Sequence, residues 1–206
     1  AIERVVAEVK AFREAHPMEG VEFRLATGNV GVMAAQNEEV SASQFPILIG
    51  VFTAVILMCW ATFRSPRAVL CIVLPLGLVS VLAYALMTYL EIGLKVNTLP
   101  VVALGVGVGV DYGIYIYSRF KEYLERGEPI QNAYEHALRV TGSAVIFTGL
   151  TLGIGVFTWI FSPLQLQADM GILLTFMFIV NMLGAILLLP ALASWILPAG
   201  YHESRG

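Results

Sequence analysis

Long apolar stretches alternate with short polar connections along most of the chain. A helix needs about 20 mostly apolar residues to cross a hydrocarbon core ~30 Å thick, and five stretches are long enough. They run from about Phe45 to Phe63, Ala68 to Leu90, Val96 to Ser118, Val140 to Phe161 and Gly171 to Leu197. Residues 45–206 are therefore predicted to form an all-α transmembrane bundle of five spans.

Residues 1–44 follow a different pattern. Apolar positions recur at helical spacing over 2–12, and Val21–Leu25 alternates as a strand does. Gly28–Asn37 is expected to be a loop or strand that leads to the membrane. Glu38-Glu39 is expected to open the first span, because carboxylates suit a helix N-terminus. One helix and one strand cannot bury a core of their own, so we expect the C-terminal end of an extracytoplasmic α/β porter domain.

Composition agrees with a membrane protein. Of 206 residues, 58% are hydrophobic and 13% are charged, against about 45–50% and 25% in soluble domains. A net charge of -3 gives no basic face for nucleic acid. Cys59 and Cys71 lie inside apolar stretches and form neither a metal spacing nor a disulfide framework. No metal or cofactor is predicted.

Basic residues in the short connections predict the orientation. Seven lie on one side: Arg64, Arg67, Arg119, Lys121, Arg126, Arg139 and Arg205. The connections on the other side have Lys95 alone. The first and third connections and the C-terminus are therefore expected in the cytoplasm, with residues 1–44 outside. In the third connection, Pro129 is expected to start a short surface helix, which serves either as a solvated linker or as a transmitter of motion between spans.

One charge lies inside the predicted spans. A charged side chain near the bilayer centre costs at least ~2.5–3.5 kcal/mol, and only the third span has one, Asp111. It follows Thr98 by 13 residues, or about 20 Å of helix, slightly past the midplane. Because burial favours the neutral carboxyl group until water or a cation reaches it, Asp111 is the candidate proton carrier. A purely structural hydrogen bond is the alternative.

Small residues surround this carboxylate. Gly105, Gly109 and Gly113 are spaced for close helix contact, and Gly107 lies one turn from Asp111 and leaves space beside it. The hydroxyl of Tyr112 could donate to a carboxylate on a facing helix. Tyr115 could line the same path, whereas Tyr117 and Tyr123 are expected in the interfacial aromatic belt.

Polar side chains in the last two spans are candidate partners. Thr148 and Thr151 share one stripe of the fourth span with Ala144 and Gly155. Their hydroxyls either reach Asp111 or bond to their own helix, as threonines in membrane helices do. Asn181 in the fifth span is a possible polar partner of Asp111, and helix–helix packing is the competing interpretation.

The stretch Leu104–Tyr115, Leu-Gly-Val-Gly-Val-Gly-Val-Asp-Tyr-Gly-Ile-Tyr, resembles the fourth or tenth span of resistance-nodulation-division (RND) exporters. The most similar branch is that of MMPL and hopanoid or lipid exporters. The Gly107-to-Asp111 core is also similar to that of Patched and sterol-sensing-domain proteins. The resemblance covers nearly the whole chain, which looks like a C-terminal half with the end of its porter domain and five spans.

The resemblance implies that Asp111 is a proton-relay carboxylate, Tyr112 its paired tyrosine, and Thr148 or Thr151 a relay hydroxyl. The absence of an intramembrane Lys in the third span disfavours the multidrug branch. Proton-coupled export of a hydrophobic or lipid-like substrate from the inner membrane is implied, with the bilayer and the N-terminal half of the same transporter as partners; a homo-oligomer stays open. The alternative is a sterol- or lipid-sensing module without transport. An enzyme is not expected, for want of a nucleophile and base pair.

Overall fold

A computed structural model of the chain describes residues 8–9, 11–12, 15, 29–92 and 98–196. Regular structure over these ranges is entirely helical. The described residues between 8 and 15 are helical, in agreement with the prediction for the start of the chain. The strand predicted at Val21–Leu25 lies outside the described residues, so the α/β porter domain stays a prediction.

Five long helices account for the described part of the chain from residue 29 onwards. They are α1 (Asn29–Phe63), α2 (Pro66–Tyr89), α3 (Thr98–Glu125), α4 (Ile130–Phe161) and α5 (Gln165–Ile196). Each contains a stretch that is long and apolar enough to cross a membrane. The predicted bundle of five spans is confirmed at this level.

The first helix begins earlier than predicted. Gly28–Asn37 was expected to be a loop or strand, but α1 is helical from Asn29. Residues 33–39 contain good helix formers and neither Gly nor Pro, so nothing stops the helix before the membrane. With 35 residues, α1 is about 52 Å long, and its membrane-crossing part is Phe45–Phe63. The remainder extends beyond the hydrocarbon core.

The fourth helix also differs from its prediction. The short surface helix does begin after Pro129, as Ile130–Ala137, but it is not separate from the fourth span. A π-helical segment, Leu138–Gly142, joins it to Ser143–Phe157. No Pro interrupts this stretch, and a π segment absorbs one extra residue without ending a helix. The predicted boundary at Val140 is therefore wrong.

Helix ends at other positions extend past the predicted spans. α3 continues to Glu125 instead of ending at Ser118, because charged side chains on its last turns pair along the helix. Glu122 accepts from Arg119 at 2.7 Å and from Arg126 at 2.6 Å. At the opposite surface, α5 begins at Gln165 instead of Gly171.

The packing makes α3 the centre of the bundle. α1, α2, α5 and the first segment of α4 all lie against it. The membrane part of α4 packs on α5, so α5 lies between α3 and most of α4. This arrangement covers one side of α3 and leaves the other side without a helical neighbour from the described chain.

An aromatic cluster closes the end of the bundle where α3 meets the α1–α2 connection. Tyr117 was expected in the interfacial belt, but it is buried. It makes edge-to-face contacts with Phe63 at 5.1 Å and Phe120 at 5.9 Å between ring centroids. Phe120 in turn contacts the ring of Tyr134. These rings tie α1, α3 and the first segment of α4 together.

Candidate functional site

The inner face of α3 is a close-contact surface for two helices. An ideal Cβ on Gly105 would lie 2.5 Å from Met177 side-chain atoms, and one on Gly109 would lie 2.5 Å from the Asn181 side chain. A Cβ on Gly113 would lie 3.0 Å from Ile72 of α2. These distances leave no room for a side chain, so α3 approaches both helices closely at the three glycines.

Asn181 belongs to this inner face. Its side chain is 4% exposed, and its Nδ2 donates to the Gly105 carbonyl oxygen at 2.8 Å. Residues 105 and 109 lie on the side of α3 opposite residue 111, because successive helical residues are rotated by about 100°. Asn181 thus joins α5 to α3, and the structure supports the packing interpretation over a partnership with Asp111.

The outer face of α3 carries the candidate proton carrier. Its exposed residues recur every three or four positions: Pro100, Leu104, Gly107, Asp111, Tyr115 and Ser118. We call these six residues the outer face. Asp111 lies near the middle of the span Pro100–Glu125. Nothing lies within 4 Å of a Cβ built on Gly107, so the described chain leaves open space one turn from the carboxylate.

Asp111 is exposed in the described chain, and this changes the interpretation of the site. Its carboxylate was expected to be buried, but the described chain leaves it uncovered and makes no hydrogen bond to it. A carboxylate and a glycine at mid-membrane depth are poor neighbours for lipid. The outer face therefore has the properties of a surface that another protein segment covers.

Tyr112 points the other way. It is 3% exposed, and within the described residues its hydroxyl is a buried polar group without a hydrogen-bond partner. Adjacent residues in a helix diverge by about 100°, so Asp111 faces outward while Tyr112 packs inside. Donation from Tyr112 to a carboxylate on a facing helix is not seen in this arrangement.

The two threonines lie on a separate exposed surface. The buried residues of the membrane part of α4 are Val145, Gly149 and Gly153, and a Cβ on Gly149 would lie 2.6 Å from Met182 of α5. Thr148 and Thr151 lie beside that face and are exposed. Thr151 Oγ1 donates to the Phe147 carbonyl at 2.7 Å, the local bond that threonines in membrane helices form. No hydrogen bond joins either threonine to Asp111 within the described chain.

Sequence reasoning did not assign three residues of the outer face, Pro100, Leu104 and Ser118. Pro100 precedes Leu104 by four residues, Leu104 precedes Gly107 by three, and Ser118 follows Tyr115 by three. This helical spacing is the signal that could have found them. The signal is weak in a membrane helix, because a lipid-facing side and a protein-facing side are both apolar there.

Comparison with known proteins agrees with these features. The model of the MMPL family matches residues 1–203. Putative membrane protein MJ1562 of Methanocaldococcus jannaschii is 31% identical over 191 residues, which is 92% of this chain and 49% of that protein.

Two mycobacterial relatives are transport proteins by name. Probable transport protein MmpL12 of Mycobacterium tuberculosis is 28% identical over 169 residues, 77% of this chain and 15% of that protein. Acyltrehalose exporter MmpL10 of the same species is 28% identical over 130 residues, 61% of this chain and 13% of that protein. The chain thus spans half or less of the length of these relatives. With its five apolar helices and a family match along nearly its whole length, the chain is a multi-pass membrane protein that belongs to the MMPL family.

Proposed function

We propose that this chain is part of a proton-coupled secondary transporter that exports a hydrophobic or lipid-like substrate. The observation that carries the proposal is the position of Asp111, a lone carboxylate near mid-membrane on a face that the described chain leaves uncovered. The relatives named as transport proteins, one of them an exporter of an acyltrehalose, support export of a lipid-like molecule.

The outer face of α3 supports a two-part proton site. A second RND-type half, packed along the outer face, would enclose Asp111 and remove it from lipid. Gly107 leaves room for a water molecule or for a side chain of that half. Two carboxylates that share such a site cannot both ionise at low cost. A carboxylate of the opposing half would therefore share one proton with Asp111.

Protonation can drive movement because it changes what the outer face prefers to contact. A neutral carboxyl group can pack against an apolar helix, whereas a charged one requires water or a cation. Proton uptake from outside would bring the two halves together along α3, and release to the cytoplasm would loosen that contact. Coupling then consists of a shift between two packings of the same helices.

The proposal also gives roles to the other candidate relay groups, Thr148, Thr151 and Tyr112. Thr148 and Thr151 are on an exposed stripe of α4, where an opposing half or bound water could use their hydroxyls. Tyr112 has a buried hydroxyl that needs a partner, and a rearranged state of the bundle could supply one. The substrate itself would pass through the extracytoplasmic domain whose end we expect in residues 1–44.

Replacement of Asp111 tests the proposal. Asp111→Asn in the complete transporter keeps the size and hydrogen-bonding capacity of the side chain but cannot carry a proton. We expect export to be lost together with its dependence on the proton gradient, while membrane insertion and yield stay normal. Glu135→Gln is the matched control, since Glu135 is an exposed carboxylate on the surface segment of α4, and it should export normally.

Two results would overturn the proposal. The first is gradient-dependent export by Asp111→Asn at the wild-type rate. The second is a wild-type protein that binds sterol or lipid in vesicles without moving it under any proton gradient, which would establish the sensing module instead.

A further inference from the structure

A small cavity lies between α2, α3 and α5, on the side of α3 that is opposite the outer face. Its walls include Cys71 and Pro75 of α2, Gly109 and Gly113 of α3, and Asn181 of α5. The centre of a water molecule has about 10 Å³ of free space there, which is close to the minimum that one buried water molecule requires. The cavity is therefore large enough for one water molecule and too small for a transported substrate.

The Asn181 side chain brings an amide oxygen to this cavity. Its Nδ2 donates to the Gly105 carbonyl oxygen at 2.8 Å, so the other amide atom, Oδ1, is the acceptor. An ideal Cβ on Gly109 would lie 2.7 Å from Oδ1, and both residues line the cavity. Oδ1 therefore lies at the cavity wall. Asn181 is only 4% exposed, and no described residue donates a hydrogen bond to its Oδ1.

Pro75 leaves a second acceptor beside the same cavity. A helical carbonyl group points along the axis and accepts from the N–H four residues later. Pro75 lies inside α2 and has no N–H, so it donates nothing to the Cys71 carbonyl oxygen. Cys71 is 0% exposed, which keeps this carbonyl away from the surface of the bundle. Both residues line the cavity, so a donor inside it can approach the carbonyl oxygen.

Another proline of the bundle shows how such a carbonyl acquires a new donor. Pro190 lies inside α5 and cannot donate to the Ile186 carbonyl oxygen, and the hydroxyl of Tyr134 donates to that oxygen instead. No side chain of the described residues does the same for Cys71. Ser80, the buried hydroxyl of α2, already donates to the Leu76 carbonyl oxygen at 3.0 Å. The donor for Cys71 must therefore come from the cavity.

Two acceptors at one small cavity require a molecule that donates twice. A water molecule has two O–H donors, and buried water typically bonds to polar groups that would otherwise lack a partner. We propose that the cavity holds one ordered water molecule, which donates to the Cys71 carbonyl oxygen and to Asn181 Oδ1. This water joins α2 to α5 between Gly109 and Gly113 of α3. It is separate from the proposed proton site, because Asp111 faces the other way.

Electron cryomicroscopy of the full-length transporter, at a resolution that shows ordered water, tests the site directly. We expect one density peak within hydrogen-bond distance, about 2.6–3.2 Å, of both the Cys71 carbonyl oxygen and Asn181 Oδ1. An empty cavity in a map that shows other buried water molecules would overturn the proposal. A peak with six oxygen ligands at about 2.4 Å would identify a metal cation and would overturn it as well.

Solid-state NMR in lipid bilayers provides a second measurement that needs no density map. Magnetisation that starts on water should reach the Asn181 side-chain amide at short transfer times. Met177 is the matched control, since it lies one turn earlier in α5, is 0% exposed and does not line the cavity. Transfer to Asn181 that is as slow as transfer to Met177 would show a dry cavity and would overturn the proposal.

Two variants then test the location of the water. Cys71→Val adds volume at the cavity wall and should slow the transfer to Asn181 to the level of Met177, whereas Cys71→Ala should keep the fast transfer. Thermal unfolding shows whether each variant is folded. Fast transfer that persists in folded Cys71→Val would place the water elsewhere and would overturn the site. Export by Asp111→Asn is measured separately, so failure here leaves the proposed transport function untouched.

Discussion

Gly107 and Gly109, two residues apart in α3, have opposite surroundings. Gly109 lies against Asn181, whereas Gly107 has nothing within 4 Å of a built Cβ. The same residue type therefore serves close packing at one position and leaves a vacant surface at the other. The difference follows from the rotation of about 200° between residues two apart in a helix.

This contrast predicts that replacement of each glycine by alanine has a different effect on the stability of the fold. In Gly109→Ala, the new Cβ would lie 2.5 Å from the Asn181 side chain, and relieving the clash should destabilise the fold by about 1–3 kcal/mol. Gly107→Ala should leave stability unchanged or raise it slightly, because Ala favours a helix over Gly. Thermal unfolding of both variants in detergent checks this. Equal unfolding temperatures would show that α3 and α5 are not packed as described.

At the scale of helices, the first segment of α4 is bound to α5. Pro190 of α5 has no N–H to donate to the Ile186 carbonyl four residues earlier. The hydroxyl of Tyr134 donates to that carbonyl oxygen. Tyr134 precedes the π segment of α4, and Ile186 lies within the π segment Gly184–Leu188 of α5. One hydrogen bond thus connects the first segment of α4 to the π segment of α5.

Removal of that hydroxyl should weaken the connection. Tyr134→Phe keeps the ring contact with Phe120 but leaves the Ile186 carbonyl without its donor, at a cost of about 1–3 kcal/mol. Faster hydrogen exchange is expected in both π segments, measured by mass spectrometry. Tyr89→Phe is the control, since Tyr89 is 84% exposed and should exchange as the wild type does. Unchanged exchange in Tyr134→Phe would mean that the hydroxyl does not hold these helices together.

At the scale of the whole molecule, the number of spans determines the topology. Five spans place the α3–α4 and α4–α5 connections on opposite sides of the membrane. The distribution of basic residues predicts that the α3–α4 connection lies in the cytoplasm. The native thiols do not interfere with labelling, because Cys59 and Cys71 are both fully buried.

Single cysteines can test this orientation. Gln131→Cys lies at the start of α4 and Gln165→Cys at the start of α5, and both positions are exposed. A membrane-impermeant maleimide added to intact cells should label Gln165→Cys and not Gln131→Cys. Permeabilised cells should label both, while the wild type stays unlabelled. The reverse pattern would invert the proposed topology and the direction of proton movement.

The sequence alone determined the features that follow from hydrophobic length and local spacing. A stretch of about 20 apolar residues must become a helix in lipid, because the backbone has no other way to satisfy its hydrogen bonds. The count of five spans and the isolation of Asp111 within them follow from this. Helix ends were less certain, because a glycine does not always end a helix: α1 is helical from Asn29 through Gly31, and α4 continues through Gly142.

Only the tertiary structure decided which side of each helix meets which neighbour. Apolar side chains suit both lipid and protein, so the pattern could not show that Asn181 bonds to Gly105, or that Tyr112 and Tyr117 are buried. Nor could it show that Asp111 faces outward. These facts depend on how α1, α2 and α5 surround α3. That packing is set by contacts between residues far apart in the chain, and no local pattern encodes them.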